Sequence, residues 1–162
     1  MSGCAPKVAS DENVYRALSA PIYSNAVFDF SQLDGRWSQV AGFSGLDAPA
    51  CSPGEALFSE KGGVLRVGYS LCLSGKTVTG SGTVSPSGPG RFGISGKAGA
   101  VTDWWVLWVD EGYRTMAIGT PSGDFGFILN RGKTLPADRL AAAREVLDFN
   151  GYDTERLISY GG

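Results

Sequence analysis

Residues 103–131, DWWVLWVDEGYRTMAIGTPSGDFGFILNR, constrain the fold more than any other stretch of this chain. Aromatic and β-branched residues fill three strand-length segments, 103–109, 113–119 and 125–131, and turn-forming Gly, Asp, Pro and Ser separate them at hairpin distance. Three of the four tryptophans, Trp104, Trp105 and Trp108, lie in the first segment, and the last ends in Arg131 after a wholly apolar approach. A large aromatic surface with one charge at its edge belongs to a core or to a cavity wall.

The same grammar extends upstream. Residues 35–43 read as a strand with Trp37, Ala41 and Phe43 on one face, followed by a long loop at 44–53. A second strand at 55–61 turns through Gly62 and Gly63 into a third at 64–73, where Leu65, Val67, Tyr69 and Leu71 alternate with Arg66, Gly68 and Ser70. Residues 78–84 and 91–95 are weaker, glycine-punctuated strands, and the 24 glycines carry no collagen-like period. Eight short strands with hairpin connections predict an all-β, eight-stranded antiparallel up-and-down barrel, since closure removes the exposed edges. One helix is predicted after the strands, with Pro136 in its first turn, a stripe of Leu140, Ala143 and Leu147, and a stop at Asn150-Gly151. The narrow stripe places it outside the barrel, and residues 157–160 form a short last strand. A chain of 162 residues with 43% hydrophobic residues supplies one core rather than two.

Composition removes whole classes of chemistry. The chain has no histidine, which excludes a Ser-His-Asp triad, His-bearing zinc sites and an ordinary His-ligated haem. Fourteen basic against sixteen acidic residues give a net charge of -2, with no basic patch interleaved with aromatics, so nucleic acid is not an expected partner. The run Ser74-Gly75-Lys76-Thr77 imitates the tail of a phosphate-binding loop, but position 70, where that loop needs glycine, is Ser70, and a hairpin turn is expected instead. No metal or cofactor is called for.

The cysteines divide into one plus two. Ser2-Gly3-Cys4 matches the end of a bacterial lipobox, with Cys4 the lipidation site; an ordinary start that happens to contain cysteine is the alternative. No charged or apolar leader precedes it, so the signal peptide is expected to be absent from this chain. Residues 1–27 are then a lipoprotein N-terminus and tether, and 28–162 the folded domain. An exported location permits a disulfide between the remaining Cys51 and Cys72. A cysteine nucleophile is disfavoured, because no histidine is present to act as its base.

Gly35-x-Trp37, the turn Asp110-Glu111-Gly112-Tyr113, Arg131 closing the eighth strand, and then a helix and a short strand together resemble the lipocalin family. The C-terminal run from Tyr113 to Ile158 is similar to the bacterial outer-membrane lipoprotein lipocalins. The resemblance implies that Gly35, Trp37, Asp110, Tyr113 and Arg131 meet at a closed end, with the arginine lying over the tryptophan. It also puts Cys51 and Cys72 at the open mouth, where a bridge either controls ligand access or simply stabilises a long loop.

Strand parity gives the expected lining of the barrel: Trp37, Ala41, Ala56, Phe58, Val67, Tyr69, Phe92, Ile94, Trp104, Val106, Trp108, Phe125 and Phe127. The three tryptophans of one strand cannot all face inward. The lining is apolar, and a slot of this kind suits a small hydrophobic ligand such as a fatty acid, a lysophospholipid or a flat pigment. The expected role is binding, carriage or storage of such a ligand at the bacterial outer membrane, facing the periplasm, without catalysis. One alternative is a protein-binding envelope barrel, an inhibitor or scaffold, filled by its own side chains. A second is an isomerase or de-epoxidase-like enzyme on this fold, for which Tyr69, Asp103 and Asp124 are the candidates near the mouth.

Overall fold

The computed structural model describes residues 14–44, 51–96 and 103–160. Eight antiparallel strands follow one another: β1 (Gly35–Phe43), β2 (Glu55–Lys61), β3 (Val64–Leu73), β4 (Lys76–Gly88), β5 (Arg91–Ser95), β6 (Asp103–Val109), β7 (Thr115–Gly119) and β8 (Phe127–Asn130). Each pairs with the next, and β1 pairs with both β8 and β2, which closes the barrel. The tight connections follow from backbone chemistry. Gly62 and Gly63 both have positive φ, as do Ser74 and Gly75, giving two-residue hairpins whose twist matches the strands they join. The second is the turn expected of the phosphate-loop lookalike.

The helix α1 (Ala137–Phe149) begins after Pro136 and ends at Asn150, with Gly151 at φ 90 beyond it. Ala143 and Leu147 are buried against Val40, Ala41, Phe43, Leu107, Ala117 and Ile128, which face outward from the barrel wall. The helix therefore covers the outside, as its narrow apolar stripe requires. The last strand, β9 (Leu157–Ser159), pairs with the upper half of β1, from Ala41 opposite Ser159 to Phe43 opposite Leu157.

Three boundaries differ from the sequence reading. β4 is longer than 78–84. β7 starts at Thr115 rather than 113, because Tyr113 takes φ 53 inside the preceding turn, and β8 spans fewer residues than 125–131. The lining changes at two positions, and the cause is the same at both. A bulge between Gln39 and Ala41 in β1, and another between Val106 and Trp108 in β6, insert an extra residue and reverse the alternation beyond it. Ala41 and Trp108, expected to line the interior, pack instead in the outer layer with Phe43, Ala117 and Leu147.

The N-terminal segment also departs from expectation. Cys4 lies outside the described residues, but the expected tether does not reach residue 27, because residues 14–27 run against the barrel wall. Tyr15 N–H donates to Gly123, Ala17 N–H to Gly151 and Asn25 N–H to Val106. Arg16, buried, donates to the carbonyls of Asn150 (3.0 Å), Pro121 (2.7 Å) and Ala20 (2.5 Å), binding this segment to the helix C-terminus and the β7–β8 loop. A cation at a helix C-terminus also complements its dipole.

Candidate functional site

The barrel interior is the candidate site, and it is built by alternation. Trp37, Ala56, Phe58, Val67, Tyr69, Phe92, Ile94, Trp104, Val106, Phe125 and Phe127 join one interior cluster, contributed by six of the eight strands and the loop before β8. The remaining two strands, β4 and β7, supply Val84 and the pair Met116 and Ile118. These three, with Leu71, Leu73 and Leu129 of the same cluster, lie outside the lining expected from the sequence. The alternation of Thr115-Met116-Ala117-Ile118 carried that signal. It places Met116 and Ile118 inward, opposite Leu129 and Phe127 of β8.

Trp104 organises the lumen. Its ring lies 5.1 Å from Phe127, 5.4 Å from Phe92 and Tyr69, and 6.2 Å from Phe58, so one indole spans aromatic partners from β2, β3, β5 and β8. The contacts with Phe58 and Phe127 are edge-to-face, the arrangement that places positive ring edges on negative ring faces. Toward the mouth the wall continues with Leu71, Leu73 and Phe125, with Val78 packed against the cluster.

The mouth is pinned from one side. Cys51 and Cys72 form a disulfide with their Cα atoms 5.7 Å apart. Beside it β2 has not yet begun, and the buried Gln39 takes the place of a ladder strand. Its amide donates to the Cys72 carbonyl (2.8 Å) while its oxygen accepts from the N–H of Cys72 (2.8 Å) and of Gly54 (3.0 Å). The Tyr160 hydroxyl approaches the Cys72 sulfur at 3.5 Å, and burial pushes that phenol above its ordinary value.

The opposite end is held by Arg131. Its guanidinium stacks 3.9 Å over the Trp37 ring and donates to the carbonyls of Gln32 (2.6 Å), Asp34 (2.7 Å) and Tyr113 (3.2 Å). Gly35 lies directly beneath it with φ 118, and a Cβ there would sit 2.6 Å from the guanidinium nitrogen. Asp110 orders the neighbouring turn by accepting from the N–H groups of Arg114 (2.6 Å) and Thr115 (2.8 Å) and from the Arg114 side chain (2.7 Å). Burial opposes its ionisation, yet these donors outweigh it and hold the carboxyl below its ordinary range.

The three residues considered for catalysis are scattered. Tyr69 packs on Trp104 inside the barrel, Asp103 opens β6 in an exposed position, and Asp124 accepts from Ser122 in the β7–β8 loop. Among the described residues, no group of three or more His, Cys, Asp or Glu is placed to hold a metal ion. Among the described residues, Tyr69, Asp103 and Asp124 do not come together as an acid-base pair, and the wall around Tyr69 is apolar.

Comparisons with known proteins agree with this geometry. The family described as Lipocalin-like domain matches residues 28–161. Insecticyanin from the tobacco hornworm Manduca sexta shares the fold at 18% identity with a TM-score of 0.61, over 88% of this chain and 87% of that one. Lobster apocrustacyanin A1 does so at 15% identity and 0.58, over 88% and 91%. The siderocalin Ex-FABP does so at 16% and 0.57, over 81% and 95%. Among curated proteins, none matches the chain in sequence.

Proposed function

The chain belongs to the lipocalin family, and from that premise we propose that it binds and carries or stores a fatty acid, a lysophospholipid or a flat pigment in its barrel. We place it at the bacterial outer membrane, facing the periplasm, tethered by a lipid on Cys4. The observation that carries the binding reading is the continuous apolar lining from Trp37 to Phe125 inside a closed barrel. An acyl chain gains about 0.8 kcal/mol per buried CH₂, so such a wall binds usefully without a charged anchor. The ligand lies against Tyr69, Leu71 and Phe125, with the Trp104 ring as its floor. The siderocalin among the fold neighbours works through dual ligand specificities, which accords with a lumen that selects by shape and apolarity.

A second reading has its own observation. The four aromatic partners of Trp104 fill the middle of the barrel with the protein's own side chains, which favours a protein-binding envelope barrel. Native mass spectrometry of protein purified from its envelope, with titration of tryptophan fluorescence by fatty acids and pigments, separates the two. Added mass and saturable quenching are expected; neither, with any apolar ligand, overturns the carrier reading. Intact mass after expression behind a signal peptide tests Cys4, and an unmodified thiol there refutes the anchor.

A further inference from the structure

The base of the barrel is sealed chiefly from one side. Its cap is the short 3-10 helix Phe30–Gln32 with the residues around it, and the barrel side chains that hydrogen-bond to this cap come from one half of the barrel. Arg131, after β8, donates to the carbonyls of Gln32 and Asp34; the Trp37 indole of β1 donates to Leu33 (2.8 Å); and Asp29 N–H donates to the Tyr113 hydroxyl of the β6–β7 turn (2.9 Å). The other half, over β2 to β4, keeps a cavity of about 510 Å³. That volume lies within the range of small-molecule sites, roughly 300–1,000 Å³.

Its walls have two chemistries. Phe30, Leu65, Val84 and Pro86 supply the apolar surface, with Leu65 and Val84 continuing the inward faces of β3 and β4. Phe30 packs edge-on to Phe92 at 5.9 Å, and Phe92 meets Trp104 at 5.4 Å, so the aromatic plug separates this cavity from the upper lumen. The rim carries two carboxylates, Asp34 and Glu60. Glu60 follows Ala56 and Phe58 on the inward face of β2, opposite Leu65, where every other position is apolar.

Both carboxylates are held in place by backbone donors. One Asp34 oxygen accepts from Glu60 N–H (2.8 Å), and one Glu60 oxygen accepts from Gly63 N–H (2.8 Å). The second oxygen of each has no partner among the described residues. Arg131 feels the Asp34 charge, but its donors go to backbone carbonyls rather than to that carboxylate. An oriented pair of negative charges above an apolar wall matches one ligand class: a primary ammonium with an aliphatic or aryl body. The ammonium supplies three donors for the free oxygens, and Phe30 in the same wall gives its body apolar contact. We propose that this basal cavity is a second binding site, distinct from the upper lumen, for amphipathic organic amines. It does not rest on the carrier reading, since fatty acids and other anions are repelled by its rim.

The test uses the full chain with n-octylammonium, against octanoate and octanol as the anion and the neutral analogue. Amide resonances of Glu60, Gly63 and Leu65 are expected to shift with octylammonium in NMR titration, and octanoate is expected to leave them in place. Affinity should fall as ionic strength rises, because the carboxylates are exposed to solvent. D34N and E60Q keep their backbone acceptors and the fold, while the double variant should bind octylammonium about ten-fold more weakly or worse. Equal binding of octanol, unchanged affinity in the double variant, shifts confined to Leu71 and Phe125, or an affinity insensitive to salt in the unaltered protein would each overturn the assignment.

Discussion

Replacing Arg131 with Met tests the account of the closed end most directly. The substitution keeps an aliphatic chain over Trp37 and removes the charge and all five donors. Three hydrogen bonds are lost, at 2.6, 2.7 and 3.2 Å, together with the stacking at 3.9 Å on a fully buried indole. Gln32 and Asp34 are exposed, so their freed carbonyls rehydrate, and each bond counts near the low end of its range, about 0.5–1 kcal/mol. The cation-π contact adds about 1 kcal/mol. The sum is about 3 kcal/mol, equivalent to a fall in Tm of about 6–12 °C for a domain of this size. Thermal unfolding followed by circular dichroism measures it, and ligand titration at the mouth should be unaltered. A drop under about 2 °C, or lost binding at an unchanged Tm, would refute the clasp. A double-mutant cycle sharpens the test: Gly35→Ala suffers both its positive φ and the 2.6 Å approach to Arg131. The second penalty disappears in the R131M background, so coupling of about 1 kcal/mol is expected, and strict additivity would show the contact to be absent.

Reducing the Cys51–Cys72 bridge, which spans a separation of 21 residues, should cost about 3 kcal/mol, read as a lower Tm in reductant that the C51S variant does not show. Gln39→Leu keeps the volume but orphans the N–H and carbonyl of Cys72 and the N–H of Gly54; denaturant titration should show a loss of about 2–4 kcal/mol. Tyr152 accepts from Thr120 N–H (3.0 Å) and donates to Phe125 (2.6 Å), so Tyr152→Phe should lose about 2–3 kcal/mol in the same assay. Burial raises its phenol, so its contribution is complete below the unfolded value near pH 10 and is lost progressively above it, and stability should fall less steeply above pH 10 in the Phe variant than in the unaltered protein. Asp110 behaves oppositely: its lowered value makes the turn's contribution present above about pH 4 and lost on further acidification, and Asp110→Ala should flatten stability against pH in that range.

Much of this molecule is legible in its order of residues, because hairpins are local. Gly62-Gly63 and Ser74-Gly75 dictate their turns through backbone conformations open to few residues, and the alternation of Leu65, Val67, Tyr69 and Leu71 decides which face of β3 is buried. The stripe of Ala143 and Leu147 likewise assigns the helix to the outside of the wall. Strand parity alone also identifies most of the interior, from Trp37 to Phe127.

Tertiary structure decided what parity cannot carry. Bulges after Gln39 and Val106 turned Ala41 and Trp108 outward, and a bulge depends on pairing with a distant partner, which leaves no local mark. Packing of residues 14–27 on the barrel rests on a buried Arg16 whose acceptors lie as far along the chain as Asn150. The role of Gln39 as a stand-in for a missing strand, the aromatic contacts that let Trp104 divide the lumen, and the one-sided seal at the base all arise from residues far apart in sequence. Short-range chemistry determined the strands, the helix and the faces they bury. Only closure of the barrel brought the charges and rings at its two ends into contact, because those contacts exist only once β1 pairs with both β2 and β8.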